Sequence, residues 1–552
     1  MRHILILWLC FLSFSAQAQG RQAAIASAHP LATQAGMEIL EQGGNAFDAA
    51  IAVTAALAVV EPAGSGLGGG GFWLLHRARD AHQIMIDGRE MAPGKAHADM
   101  YLDQKGQFNP KSSLNGPLAA GIPGVPAAID YLSRHYGQLP LSTVLQPAIR
   151  YAREGFAISE GYRRLAGFRH EVMQSYPATA AIFLDEGEVP ALGYRLQQPD
   201  LADTLEAIAE QGKAGFYQGE TATKLVQSVQ DNGGIWTLED LANYRVKTRK
   251  PVKAVYHDYQ ITSASLPSSG GIVLTLALNI LEHFDLQGAD KLQQQHWVIE
   301  AMRRAYRDRS RHLGDSDFVA VPRLLTTKAY ARQQAKTIDN HRAGVSEPVK
   351  PAKSGGENTT HFSIVDQHGN RVAATLSINY PFGSGFVAEG TGVLLNDEMD
   401  DFSAKTGTAN AYGLVGTEAN AIAPYKRPLS SMSPSFIENP NKLMITGTPG
   451  GSRIISMVLL SLLDFVEGKN AEQIVSAPRY HHQYLPDQVQ IEKEGFSEET
   501  ISALTQRGHK VKTLSRQYGD MQIITVNLAT GELDAASDPR GEGLAEVKTI
   551  RP

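Results

Sequence analysis

Two hydroxyl side chains brought together by a hairpin are the first sign of chemistry in this sequence. Thr359 opens the run Thr359-Thr360-His361-Phe362-Ser363-Ile364-Val365. Its β-branched and aromatic residues, in partial alternation, predict a strand. Asp366-Gln367-His368-Gly369-Asn370 predicts a turn, and Arg371 to Asn379, rich in Val, Ala, Thr and Ile, a second strand. Folded about His368 and Gly369, the hairpin sets Thr359 opposite residue 377 or 378, within one register step. Ser377 then falls beside Thr359, with Asn379 on the same face. A threonine hydroxyl is a poor nucleophile until a base takes its proton. If the chain is cut between Asn358 and Thr359, the new α-amine of Thr359 can be that base. Such an amine titrates near ~8 in model peptides, so much of it is neutral at ordinary pH. Thr pairs are also common in strands that do no chemistry.

Other stretches carry groups that could bind or polarise a substrate. Arg89 follows the short strand Ile84 to Asp87. An Arg there is commonly a solvated charge, yet its fork can hold a carboxylate through two parallel hydrogen bonds. Asn396-Asp397-Glu398-Met399-Asp400-Asp401 gathers five acidic or amide side chains at one strand end. A calcium loop needs spaced ligands and a Gly turn, and that spacing is absent. Ser430 and Ser431 lie in Arg427-Pro428-Leu429-Ser430-Ser431-Met432-Ser433-Pro434; a Ser pair alone is most often a loop or a cap. Gly450 and Gly451 separate the strand Leu443 to Gly447 from the helix Ile454 to Val466. Glycines let backbone approach a ligand, and N–H groups at a helix start favour developing negative charge. A purely structural turn has the same composition.

The run Asn358-Thr359-Thr360-His361-Phe362-Ser363 resembles the processing site of the γ-glutamyltranspeptidases, which are N-terminal-nucleophile hydrolases. His29 to Thr33, Gly43 to Ala50, the Arg89 motif, Met399-Asp400-Asp401-Phe402 and the Ser430–Ser431 motif carry the likeness over nearly all of the chain after residue 20. The resemblance implies an α+β fold, an αββα sandwich of two stacked, mostly antiparallel sheets flanked by helices. It implies self-cleavage before Thr359 into a large subunit, residues 19–358, and a small catalytic subunit, residues 359–552. Arg89, Ser430 and Ser431 would bind a substrate α-carboxylate, and Asp401, helped by Glu398 and Asn379, its α-amino group. Gly450 and Gly451 would hold the oxyanion, and Ser377 and Thr360 would position the Thr359 amine or hydroxyl. Where the family often has Thr, Ser377 keeps the hydroxyl. Thr406 to Ala423, with Tyr412, follows the pattern of a lid loop. The implied partners are glutathione and other γ-glutamyl compounds, with water, an amino acid or a dipeptide as acceptor. No cofactor or metal is implied.

The rest of the chain must position these groups. The 552 residues, 43% hydrophobic and 20% charged, suit a globular enzyme. A formal charge of −6 gives no polybasic footprint for nucleic acid. Arg2 and His3, the apolar run Ile4 to Phe14, and Ala16-Gln17-Ala18 predict a signal peptide, residues 1–18, and a periplasmic or secreted product. An uncleaved anchor is the alternative, and no later stretch is apolar enough to span a bilayer. Cys10, the single cysteine, lies inside that leader, so thiol and Cys-metal chemistry are excluded from the mature chain.

Gln22 to Glu61 predicts helix, interrupted at Gly43-Gly44 and restarted at Asn45. Gly66 to Gly71 lacks the Lys-Ser/Thr and the strand-loop-helix order of a phosphate loop, so it predicts tight backbone packing. Ser265 to Gly271 predicts a helix cap, and Gln295 to Leu313 a salt-bridged surface helix. Ala343 to Gly356, rich in Pro, Lys, Ser and Gly, predicts a mobile linker before the cut. Two rival functions remain: an acylase of other specificity (glutaryl-cephalosporin or poly-γ-glutamate), and a non-catalytic exported binding protein. Asp401 argues against glutaryl, which has no amine to hold. The intact Thr359, Arg89, Asp401 and double-Gly set argues against the binding protein.

Overall fold

The computed structural model describes residues 21–347, 358–405 and 407–550. The leader with Cys10, most of the linker and Thr406 lie outside the described residues. Two antiparallel sheets dominate the fold. The first joins β1 (Arg21–Ser27), β2 (Gly70–Arg77), β3 (His82–Gly88), β4 (Lys247–Arg249), β7 (Thr360–Val365), β8 (Arg371–Ser377) and β13 (Leu544–Ile550) in the order β13-β1-β7-β8-β2-β3-β4. The second joins β5 (Val252–Tyr256), β6 (Tyr259–Ser263), β9 (Ser435–Glu438), β10 (Lys442–Thr446), β11 (Gln522–Asn527) and β12 (Leu533–Ser537) in the order β12-β11-β10-β9-β6-β5.

Alternation along the strands builds the layers. Ala24, Ala26, Leu74, Val365 and Ala373 of the first sheet meet Phe436, Leu443, Ile445 and Ile524 of the second in a core between the sheets. Their neighbours Ala23, Ile25, Trp73, Phe362 and Ile364 face outward onto α1 (Pro30–Glu41) and α2 (Ala46–Val60). On the far side, Ile261, Ile437, Met444 and Ile523 pack beneath α3 (Gly270–Leu281), α4 (Lys291–His312) and α5 (Ile454–Val466). The expected αββα sandwich is therefore present. Among the described residues no helix is long and apolar enough to cross a membrane.

The hairpin forms with Thr360 opposite Leu376 and Val365 opposite Arg371. That register puts Thr359 level with Ser377. Asp366 holds the turn, accepting from His368 N, Asn370 N and Asn370 Nδ2, and also from Ala46 N at the start of α2. Asn45 and Asp48 form a capping box there. Gly69 abuts Ser377, where an added Cβ would lie 2.2 Å from Ser377 O, so tight packing explains that glycine run.

Three expectations need correction. Residues 21–27 form β1 rather than helix; their small side chains fit a strand pressed between β13 and β7 and buried from Ala23 onward. Next, α4 is no surface helix: Glu300, Arg303, Arg304, Asp308 and Arg309 are all buried. Periodic charge usually marks a solvated face, but Glu300, Arg303, Arg304 and Asp308 are paired inside the protein, as in Arg304 with Glu300 at 2.6 Å, while Arg309 bonds to hydroxyls. Finally, the described start of the linker is anchored. Gly344 N donates to Glu300 at 3.1 Å and Arg303 to Ser346 Oγ at 2.8 Å.

Candidate active site

Thr359 lies one residue before the central strand β7, and the Gly447–Ser452 turn follows β10 of the second sheet. Its hydroxyl donates to the carbonyl of Asn358 and lies 3.3 Å from Ser377 Oγ. Asn358 is held in turn by its side-chain amide, which donates to Ala63 O just beyond α2. Ser377 Oγ accepts from Asn379 N at 2.7 Å, and Asn379 adopts φ +72 to turn its backbone over the site. Thr360 does not join this group. Strand alternation turns it to the α2 face, towards the Glu61 carboxyl. Across that face, burial pushes the carboxyl of Glu61, the C-terminal cap of α2, up to about 8.

His361 is the nearest histidine in sequence, and it supplies no base. It is fully buried, shares hydrogen bonds with Thr375 Oγ1 at 2.9 Å and Ser363 Oγ at 3.3 Å, and burial pushes its pKa down to about 3. Both ring nitrogens are occupied by the strand face.

Two cavities meet at Thr359. The smaller, about 20 Å³, is lined by Thr359, Ser377, Asn379, Glu398, Asp401, Ser430, Ser431 and Gly451. The larger, about 450 Å³, is lined by Asn358, Thr359 and Gly450 together with Glu61 and the 516–520 segment. Gly450 and Gly451 thus flank Thr359 on its two sides. They adopt φ +134 and φ +55, and a Cβ on Gly451 would lie 2.3 Å from the Tyr412 ring. Only glycine satisfies both conditions at position 451.

Arg89 closes the small cavity from behind. It is fully buried, is paired with Glu398, and donates to Asp401 Oδ2 at 2.6 Å and to Pro428 O at 3.2 Å. Asp87 fixes the strand end before it by accepting from Arg89 N, Arg249 and Arg427. Glu398 Oε2 is buried with no hydrogen-bond partner among the described residues. Burial pushes the carboxyls of Glu398, Asp401 and Glu90 up, Glu90 to about 7, while Arg89 pulls each of them down. Burial also opposes the charge on Arg89, but the same three carboxyls more than offset it. Three carboxyls sharing one guanidinium leave the pocket ready to accept a further cation.

The acidic run expected at one strand end divides its labour. Asn396 ties Gly68 O to Gly121 O, Asp397 accepts from Tyr380 N, and Asp400 accepts from Ser113 Oγ and Ala411 N. Only Glu398 and Asp401 reach Arg89 among them. The 407–423 segment folds over the cavity as a lid would. Tyr412 OH donates to Asn379 O at 2.7 Å, and Asn410 Nδ2 donates to Asp401 Oδ1 at 3.2 Å.

Ser430 and Ser431 sit in a loop clamped by the segment before α3. Ser430 N donates to Pro267 O, Ser269 N and Oγ both donate to Ser430 O, and Ser268 Oγ donates to Met432 O. The capping expectation for this segment is not met at the cap itself: Ser269, the N-cap of α3, makes no side-chain cap hydrogen bond and serves the Ser pair, while Ser268 Oγ, one residue earlier, accepts from Gly270 N. Arg309 of α4, expected on a surface helix, donates to Ser269 Oγ at 2.8 Å and to Ser431 Oγ at 3.0 Å. Its burial is a tertiary fact, and no motif in the sequence signalled it.

Two stacked antiparallel sheets between helical layers, with a threonine at the head of a central strand facing a double-glycine turn, define an N-terminal-nucleophile hydrolase fold. The γ-glutamyltranspeptidase family model matches residues 32–547. The chain belongs to the γ-glutamyltranspeptidase family of enzymes. It is 46% identical to a glutathione hydrolase proenzyme of Escherichia coli over 95% of this chain and 91% of that one. A glutathione hydrolase proenzyme of Bacillus subtilis is 34% identical over 95% of this chain and 91% of its own. Among solved structures, a cephalosporin acylase from Bacillus halodurans superposes with a TM-score of 0.85 at 28% identity, covering 99% of both chains. The Helicobacter pylori γ-glutamyltranspeptidase matches at 44% identity and a TM-score of 0.55, over 57% of this chain and 90% of that one.

Proposed function

We propose that the chain is an exported proenzyme that cuts itself before Thr359 and then hydrolyses or transfers γ-glutamyl groups. The observation that carries this reading is the pairing of Arg89 with Glu398 and Asp401 beside Thr359. These opposite charges satisfy one another. An α-amino acid head group carries the same two charges, so its carboxylate can take the guanidinium and its ammonium the carboxyls. A γ-glutamyl donor ends in that head group, with its γ-carbonyl a few bonds away.

For maturation, Thr359 Oγ attacks the Asn358 carbonyl against which it lies. The peptide nitrogen leaves as the Thr359 α-amine, and water hydrolyses the resulting ester to free residues 19–358 from 359–552. In turnover, the α-amine takes the Thr359 hydroxyl proton as Oγ attacks the γ-carbonyl. The amide N–H groups of Gly450 and Gly451 stabilise the oxyanion, and the C–N bond breaks as the proton passes to the leaving amine. Water, or the amine of an amino acid or dipeptide, then attacks the γ-glutamyl-Thr359 ester. Glutathione hydrolysis, named for the relatives above, fits this sequence of steps, and the larger cavity is where a leaving group or acceptor would sit. Export to the periplasm or beyond rests on the N-terminal leader.

Initial rates on γ-glutamyl and glutaryl anilides test the reading, because the two differ only in the amine. Rapid γ-glutamyl turnover with negligible glutaryl turnover is expected. A preference for glutaryl would favour the acylase that shares the fold. Gly451→Ala is expected to slow turnover by at least ~10²-fold, since its Cβ displaces Tyr412 and misaligns an oxyanion donor. Unchanged kcat in that variant would remove Gly451 from the oxyanion site.

A further inference from the structure

Arg309 is only 5% exposed, and among the described residues it forms no ion pair. Its bonds go to two hydroxyls, Ser269 Oγ at 2.8 Å and Ser431 Oγ at 3.0 Å. A guanidinium only donates, so both oxygens are acceptors in these bonds, and each serine must direct its own hydrogen elsewhere. Ser269 gives its hydrogen to Ser430 O at 2.7 Å. Ser431 Oγ has no second partner among the described residues, and Ser431 lines the small cavity beside Thr359. The charge balance points the same way. Arg89 is already shared by Glu90, Glu398 and Asp401, so its charge is not free for a carboxylate entering the cavity. A second buried cation next to the Ser pair supplies positive charge that those carboxyls do not take up.

We propose that Arg309 is a positioning residue for the substrate α-carboxylate: it fixes the Ser431 hydroxyl as a donor into the head-group cavity and places a positive charge one hydrogen bond behind it. Helix α4 thereby takes part in recognition across the expected cleavage boundary, since Arg309 precedes Thr359 and Ser431 follows it. This inference rests on the γ-glutamyl reading above.

The test compares two anilide donors, γ-glutamyl and 4-aminobutanoyl. The second keeps the amine and the reacting carbonyl and lacks only the α-carboxylate. Arg309→Met is expected to raise KM for the γ-glutamyl anilide by about 10-fold or more, with a much smaller fall in kcat. Its kcat/KM for the 4-aminobutanoyl anilide should stay within about 2-fold of the unaltered enzyme, a split that a merely structural role would not produce. Combined with Ser431→Ala, Arg309→Met should add little to the loss from Ser431→Ala alone, because the two act through one hydroxyl. Equal losses on both donors, or fully multiplicative losses in the double variant, would overturn the proposal. If the Met variant fails to mature, Arg309→Lys takes its place. It should show a smaller KM rise confined to the γ-glutamyl donor, and equal losses would count against the proposal in the same way. Failure of the unaltered, cleaved enzyme on the γ-glutamyl anilide would instead overturn the γ-glutamyl reading itself, and this inference with it.

Discussion

A chain carrying Thr359→Ala is expected to remain in one piece and to lack measurable turnover, a loss of at least ~10⁴-fold. Both effects follow from one atom. The Thr359 hydroxyl lies against the Asn358 carbonyl, the position from which it can open that bond. The same oxygen is the only nucleophile proposed for the γ-carbonyl. A denaturing gel should show a single band for the variant and two for the unaltered chain. Thr359→Ser keeps the oxygen and removes the methyl that limits rotation about χ1, so it should still cleave, more slowly. Ser377→Ala removes the hydroxyl 3.3 Å from Thr359 and should slow both steps by about 10-fold, the worth of one hydrogen bond. Cleavage of the alanine variant at the normal rate would mean that another group attacks Asn358, and would end the proposed mechanism.

Asp401→Asn is expected to lower kcat/KM for the γ-glutamyl anilide by about 10³-fold, the cost typical of truncating a buried charged partner. The glutaryl anilide, which has no ammonium, should be turned over no more slowly, so the ratio between the two donors collapses. Arg89 loses the negative charge of its 2.6 Å partner in this variant, but Glu398 and Glu90 remain beside it to balance its own. The fold should therefore survive, and two bands on a denaturing gel would confirm that the variant still matures. If the two donors fell together, Asp401 would be a structural partner of Arg89 and no selector of the amine.

Near neutral pH several of these groups are poised to change charge. Glu90 is pushed to about 7 by burial, and Glu61, beside Asn358 and Thr359, to about 8. Burial raises both carboxyls, and no composition or motif reveals it.

The hairpin was legible from sequence because it is local. A β-branched run, an Asp-x-x-Gly turn and a second β-branched run fix a register through a five-residue connection, and that register alone sets Ser377 beside Thr359. Glycines 450 and 451 were legible for the same reason, since strand, turn and helix follow one another directly along the chain. The proposed carboxylate and amine binders were legible only through resemblance, because Arg89, Asp401 and the Ser pair are hundreds of residues apart or lie in loops. The tertiary structure alone decided the rest. It inserted residues 21–27 as a strand between two others, where their small side chains serve close layer packing better than the helix their composition suggests. It buried α4, where Glu300 pairs locally with Arg303 and Arg304 but the further partners Asp487, Ser346, Ser269 and Ser431 are remote in sequence. Charge pattern records which groups a helix carries. What neutralises them is set by the surface that packs against it, and here that surface turns an apparent solvent face into a buried one.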